Sequence, residues 1–185
     1  MAQRELVALA RNGDREAFSA LAASVVDRLY ATAVLILRDH SMADDATQET
    51  IVRVWRDLPS LRDPDLFDAW LRRLLVNSCR DEGRRHRRRR PEVTLLPSHE
   101  PAIGDSSAGL ADRDAIERGF RRLTPEHRTV IVLHYYHGLS LPEVAHATNA
   151  PLGTVKSRIH HATRALRAAL EADARSDGMT RGGTA

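Results

Sequence analysis

"GLSLPEVAHATNA" (138–150) runs directly into "PLGTVKSRIHHATRAL" (151–166), and these two stretches decide the fold. Ser140-Leu-Pro-Glu143 has the form of a capping box with proline inside the first turn of a helix. Ala145 is small where two helices would cross. Asn149 follows where a tight turn needs a residue that tolerates positive φ. Six residues on, Val155 takes the buried position of a second helix. This spacing predicts a helix-turn-helix. With a helical period the second helix has an apolar side of Leu152, Val155, Ile159, Ala162 and Leu166. Its other side carries Thr154, Lys156, Ser157, Arg158, His160, His161 and Arg164, all donors or cations with no carboxylate among them. A plain helical hairpin with a solvated basic face is the simpler reading. The sharper one places the second helix in the major groove of DNA, where side chains reach base edges.

Composition sets the frame around this motif. A chain of 185 residues holds one domain or two small ones. Aromatic content of 4% suits small helical units better than a sandwich of sheets. No run of 18 apolar residues occurs, so no membrane insertion is expected. The opening "MAQRELVALARNGDREAF" mixes charge with apolar residues and lacks the core of a signal peptide. Cys79, the single cysteine, cannot form an internal disulfide, which fits a reducing cytoplasm. Residues 1–90 hold 17 basic against 14 acidic residues, 91–110 hold three acidic and no basic, and 111–185 hold 11 basic against 8 acidic. The first block ends in "RRHRRRR" (84–90), an electrostatic footprint for nucleic acid or else a solvated helix end.

Organisation follows from the punctuation. Segment 91–110, with Pro91, Pro97, Pro101, Gly104 and Gly109, reads as a flexible linker. The rest reads helical, with no alternation or hairpin signal. Asn12-Gly13 ends a first helix and Asp14 caps a second. Ser41 is the expected cap of a third. Pro59 and Pro64 break the chain before a fourth. Thr124-Pro125 starts another, which stops at Gly138. The expected class is all-α: two small helical domains, 1–90 and 111–174, joined by the linker 91–110. A disordered tail is expected over 175–185.

Two further surfaces stand out. On "DDATQETIVRVWRDLP" (44–59), Asp45, Gln48, Glu49, Val52 and Arg56 share one helical face. Asp45 and Glu49 lack a third ligand marked by any motif, so the face reads as a solvated surface or a docking surface centred on valine. On "SLRDPDLFDAWLRRLLVNSCRDEGRRHRRRR" (60–90), Phe67 and Trp70 belong to the buried side. Arg72, Arg73, Asn77 and Arg80 lie opposite. Asparagine can bond a base edge bidentately, and arginines can hold phosphates.

Taken in order, "DDATQETIVRVWRDL", "FDAWLRRLLVNSCRDEGRR", "LTPEHRTVIVLHYYHGLSLPEVA" and "APLGTVKSRIHHATRALR" resemble the extracytoplasmic-function class of bacterial sigma factors. The resemblance spans roughly residues 3–172. It implies a sigma-2 domain over about 1–90 and a sigma-4 domain over about 111–172. It implies docking of Asp45, Gln48, Glu49, Val52 and Arg56 on the clamp helices of the polymerase β′ subunit, with the β flap as a further contact. It implies a −10 reader built from Ser60, Arg62, Asp63, Arg73, Asn77, Arg80, Arg84 and Arg85. The −35 reader would comprise Thr154, Lys156, Ser157, Arg158, His160, His161 and Arg164. The linker resembles the segment that enters the polymerase near the RNA path. Core polymerase, promoter DNA and an anti-sigma factor are the implied partners.

One departure concerns the end of the recognition helix. Many members carry Arg-Ala-Arg there, whereas this chain has His161-Ala162-Thr163, which weakens the electrostatic grip and makes pH-sensitive binding an expectation. No catalytic residues, metal ligands or cofactors are expected. His134 and His137, one turn apart, read as surface or core histidines rather than as a metal pair. Two alternatives remain open: a free-standing helix-turn-helix regulator that acts without polymerase, and an enzyme acting on nucleic acid. The second would need a nucleophile or metal carboxylates, and no such motif is visible.

Overall fold

The computed structural model describes residues 2–89 and 110–181, with side chains over 2–89 and 116–172. Among the described residues the chain is helical, without strands, as the sequence indicates. The helices are α1 (Gln3–Arg11), α2 (Arg15–Leu37), α3 (His40–Asp57), α4 (Phe67–Arg89), α5 (Leu110–Arg122), α6 (Pro125–Ile131), α7 (Leu141–Thr148) and α8 (Leu152–Arg181). The expected linker lies outside the described residues except for Leu110, as does Arg90 at the end of the arginine run.

Local chemistry sets most boundaries. Gly13, at φ +94°, reverses the chain after α1. Asp14 Oδ1 then accepts from the Glu16 and Ala17 amides at 2.9 and 3.0 Å, capping α2. Leu21, Val25, Leu29, Ala33 and Ile36 form its buried stripe, packed with α1, α3 and α4. By length and composition alone α2 passes for a membrane span; its apolar stripe is instead the centre of this core.

Three sequence expectations need correction. Asp39, not Ser41, caps α3, its side chain accepting from the Met42 amide at 2.8 Å. Arg38 ends α2 in the left-handed region (φ 59°) and feeds straight into α3. Asp39 is then the one extended residue between the helices, and Ser41 falls inside the first turn. Second, the helix begun at Thr124-Pro125 does not stay α-helical to Gly138. It widens into a π-helical segment, Val132–Tyr136, before Gly138 turns the chain at φ +68°. Third, α8 continues through Arg181, past residue 174, where a disordered tail was expected. "ALEADARSD" contains no proline and is rich in helix formers, so nothing stops the helix at Asp173. Residues 182–185 lie outside the described residues.

The second core is built on the helix-turn-helix. Ser140 and Glu143 form the full capping box of α7. Asn149 sits at φ 50°, the left-handed conformation that the turn requires. Val155 is fully buried among Val130, Leu133, Leu139, Val144 and Ala147. The two helical units also pack on each other. Val76 of α4 belongs to this second core, and Val132 of the π segment belongs to the first.

Candidate nucleic-acid interface

The helix-turn-helix presents its polar row as the sequence indicates. Val155 and Ala162 face inward at 0% exposure, with Ile159 and Leu166 partly covered. This leaves Lys156, Ser157, His160, His161 and Arg164 in solvent on one side of α8. Thr154 is half-buried. Ser157 Oγ donates to the Thr154 carbonyl at 3.0 Å, which leaves its oxygen free to accept. Such a row of donors on an accessible helix is the chemistry that reads base edges and phosphates.

Arg158 departs from this row. It is half-buried and lines a small cavity of about 30 Å³ with Arg80 and Arg87 of α4 and Glu126 of α6. It faces the first unit rather than open solvent. His127 of α6 stands behind the reading row, its ring centroid 6.4 Å from that of His161. Burial, followed by the nearby His161 and Arg158 charges, holds His127 below the usual histidine range.

The α3 face is exposed but partly committed. Asp45, Gln48, Val52 and Arg56 are in solvent. Glu49 accepts from Arg53 Nε at 2.8 Å, and Arg53 Nη2 reaches Asp81 of α4 at 3.0 Å. Partial burial disfavours the Arg53 charge, but its bonds to Asp81 and Glu49 outweigh that and raise its pKa above the ordinary arginine value. Glu49 is therefore a strut between helices as well as a surface group. Arg56 pairs with Asp57 at 2.7 Å. Val52 is 57% exposed and Trp55, one turn on, 46%. Trp55 stands edge-on to Phe18 at 4.7 Å and widens the apolar patch. Sequence reasoning missed Trp55, although its i+3 spacing from Val52 was a visible signal.

The third surface is divided. Ser60, Arg62 and Asp63 are exposed, and Asp63 accepts from the Asp65 amide at 2.9 Å. Arg11 of α1 donates from Nη1 to the carbonyls of Leu61 and Arg62, both at 3.0 Å. Arg4 adds an ion pair to Asp65 at 3.3 Å. The loop is thus braced from α1, a long-range pairing that the sequence did not reveal. Leu66 projects from it at 56% exposure. Arg73, Arg84 and Arg85 are exposed, Arg85 pairing with the buried Glu82 at 3.2 Å. Arg80 instead turns to the second unit, with Asn77 beside it on α4. Arg80 Nη2 donates to the Thr148 carbonyl at 2.9 Å, and its Nη1 lies 3.4 Å from Asn77 Oδ1.

The two other histidines singled out from the sequence have separate partners. His134 donates from Nδ1 to the Leu139 carbonyl at 2.7 Å. His137 Nε2 lies 3.0 Å from Thr32 Oγ1 of α2. Among the described residues no group of three or more histidine, cysteine or acidic side chains is placed to hold a metal ion.

Comparison with known proteins places the chain in a family. The profile of Sigma-70 region 2 matches residues 21–89, and that of Sigma-70 region 4 matches residues 119–168. The chain is 30% identical over 175 residues to the ECF RNA polymerase sigma factor SigW of Bacillus subtilis, covering 85% of this chain and 90% of that one. It is 34% identical over 146 residues to ECF sigma factor SigL of Mycobacterium tuberculosis, covering 77% and 82%. Its fold resembles that of CnrH, solved in complex with the cytosolic domain of CnrY, at TM-score 0.65 and 31% identity over 94% of this chain and 99% of that one. It also resembles the sigma factor RpoE of Bartonella quintana, solved with the anti-sigma factor NepR, at TM-score 0.62 and 25% identity over 83% and 96%.

Proposed function

The chain belongs to the extracytoplasmic-function family of RNA polymerase sigma factors, and from that membership we propose how its surfaces divide the work. As a sigma factor it binds core polymerase and promoter DNA and directs the start of transcription. We assign −35 reading to α8, through Thr154, Lys156, Ser157, His160, His161 and Arg164. Arg158 joins them only if the cavity that it lines opens. The braced loop 60–68, with Arg73, Asn77, Arg80, Arg84 and Arg85, takes the −10 strand. Opening the duplex costs a few kcal/mol per unstacked base, which captured bases and phosphate contacts offset. The exposed patch of Val52 and Trp55, rimmed by Asp45, Gln48, Glu49 and Arg56, docks on the polymerase. Residues 1–90 and 111–174 act as the sigma-2 and sigma-4 domains, joined by 91–110. The protein has no catalytic activity of its own and works in the cytoplasm, where polymerase and promoter meet. The structural relative RpoE was solved with the anti-sigma factor NepR, and this supports an anti-sigma factor as the regulator here.

The observation that carries the reading is the exposed row of Lys156, Ser157, His160, His161 and Arg164 on a helix-turn-helix within a region 4 match. The test is co-purification with core polymerase on a sizing column. The wild-type chain co-elutes. Val52→Asp, at a site already in solvent, leaves the fold intact and abolishes co-elution. Full co-elution of Val52→Asp would overturn the docking assignment.

A further inference from the structure

The contact between the two helical units covers part of the promoter-reading surface. Val76 of α4 is 3% exposed and packed among residues of α6, α7 and α8. One helical turn on, Arg80 is fastened to the Thr148 carbonyl at the end of α7, with Asn77 beside it. Arg158 of α8 is turned into the same cleft. Arg80, assigned to the −10 strand, therefore spends a guanidinium donor on the second unit, and Arg158, assigned to the −35 element, lines the cleft between the two.

A second contact holds the cleft shut from the other side, at His137. The Thr32 hydroxyl donates its one proton to the Arg28 carbonyl at 2.7 Å. Its oxygen is then the acceptor of the 3.0 Å contact, and His137 carries a proton on Nε2. Nδ1 is the nitrogen left to titrate. A small cavity lined by Arg28, Leu29, Thr32, Leu71, Arg72, Leu75, Val76 and Leu133 surrounds the ring. The charges facing it are Arg28 from α2 and Arg72 from α4, while the Tyr136 ring lies 5.0 Å away on its own segment. The nearby carboxylates are already engaged: Asp68 of α4 pairs with Arg28 at 2.8 Å, and Glu143 of α7 is held in the capping box. A positive charge on this ring would meet two guanidiniums in a half-buried site.

We propose that the contact between the two units is an autoinhibitory latch, with neutral His137 as its acid-sensitive element, so that protonation of His137 releases α4 from α7, frees Arg80 and uncovers Arg158. The direction agrees with the electrostatics. Burial first, then Arg72 and Arg28, hold His137 below the ordinary histidine range in the closed form. The closed form binds fewer protons than the open form. Closure is complete above the open-form value of about 6.5 and weakens as pH falls below it.

The consequence for transcription rests on the promoter reading above, but the latch is measured without polymerase or DNA. Cys79, 3% exposed and lining the cleft with Val76 and Arg80, is a built-in reporter. Its burial pushes the thiol up to about 12, so the closed form is unreactive. The full chain is labelled with a dipyridyl disulfide, which reacts in mild acid. Rates are normalised to the same chain in denaturant at each pH, with circular dichroism confirming that the helices persist. The normalised wild-type rate should rise by up to about tenfold from pH 7.5 to 5.5, the limit for one proton. His137→Gln keeps a neutral donor and should be flat over that range. His137→Lys, permanently charged, should label rapidly at pH 7.5. A flat wild-type profile, an equal rise in His137→Gln, or slow labelling of a folded His137→Lys would each overturn the latch and leave the promoter reading standing. A working latch in a chain that drives no transcription would overturn the promoter reading alone.

Discussion

Lys156 and Asn149 show how single residues divide the labour of the reading motif. Lys156 is exposed on α8 with no acidic neighbour in its row. If it donates to a base, Lys156→Ala should cost ~1–3 kcal/mol at one base pair and relax specificity there. If it touches only phosphate, affinity should fall equally on all sequences and the salt slope by about one. A competition assay against single-base promoter variants separates the two. Asn149 contributes conformation instead. Its φ of 50° suits asparagine or glycine, so Asn149→Ala should lose about 1 kcal/mol in denaturant unfolding while Asn149→Gly stays near wild type. Ser140 closes the capping box at the other end of α7, and Ser140→Ala should cost ~1 kcal/mol.

At the level of elements, legibility in the sequence followed the range of the interactions. The α7–turn–α8 unit was legible because its determinants are local: a cap, a small residue, a left-handed turn residue and a buried valine within 16 residues. The start of α2 at Asp14 and of α6 at Thr124 was legible for the same reason. The cap of α3 was misplaced because Arg38 adopts the left-handed conformation, which the sequence does not announce for arginine. The π segment Val132–Tyr136 was not foreseen either. It shares its buried residues between two cores, Val132 with one and Leu133 with the other, a demand set by packing across the chain. On α3 the shared face of Asp45, Gln48, Glu49, Val52 and Arg56 was visible as a period, but the Glu49–Arg53–Asp81 bridge was not. That bridge alters the choice of variant. Glu49→Lys would disturb α3 against α4 as well as the surface, whereas Asp45→Lys acts on the exposed rim alone. Asp45→Lys should leave the melting temperature unchanged and weaken polymerase binding several-fold in a titration.

For the molecule as a whole, the proposed function requires the parts to change partners. Closed, the chain joins Arg80 to the Thr148 carbonyl, Arg38 Nη2 to Glu117 and Val76 to the second core. In the proposed assignment Arg80 and Asn77 face DNA on the promoter, which excludes the closed Arg80–Thr148 bond, while Val52 and Trp55 form the docking face for polymerase. A free-standing regulator would have no use for that docking face and would bind duplex without polymerase. The most direct test is therefore run-off transcription, with purified chain and bacterial core polymerase on a fragmented library of the source genome and sequencing of the new 5′ ends. The account predicts discrete starts that depend on both proteins, share −10 and −35 elements, and vanish with Val52→Asp. Tight duplex binding by the chain alone, with no polymerase-dependent starts, would contradict it.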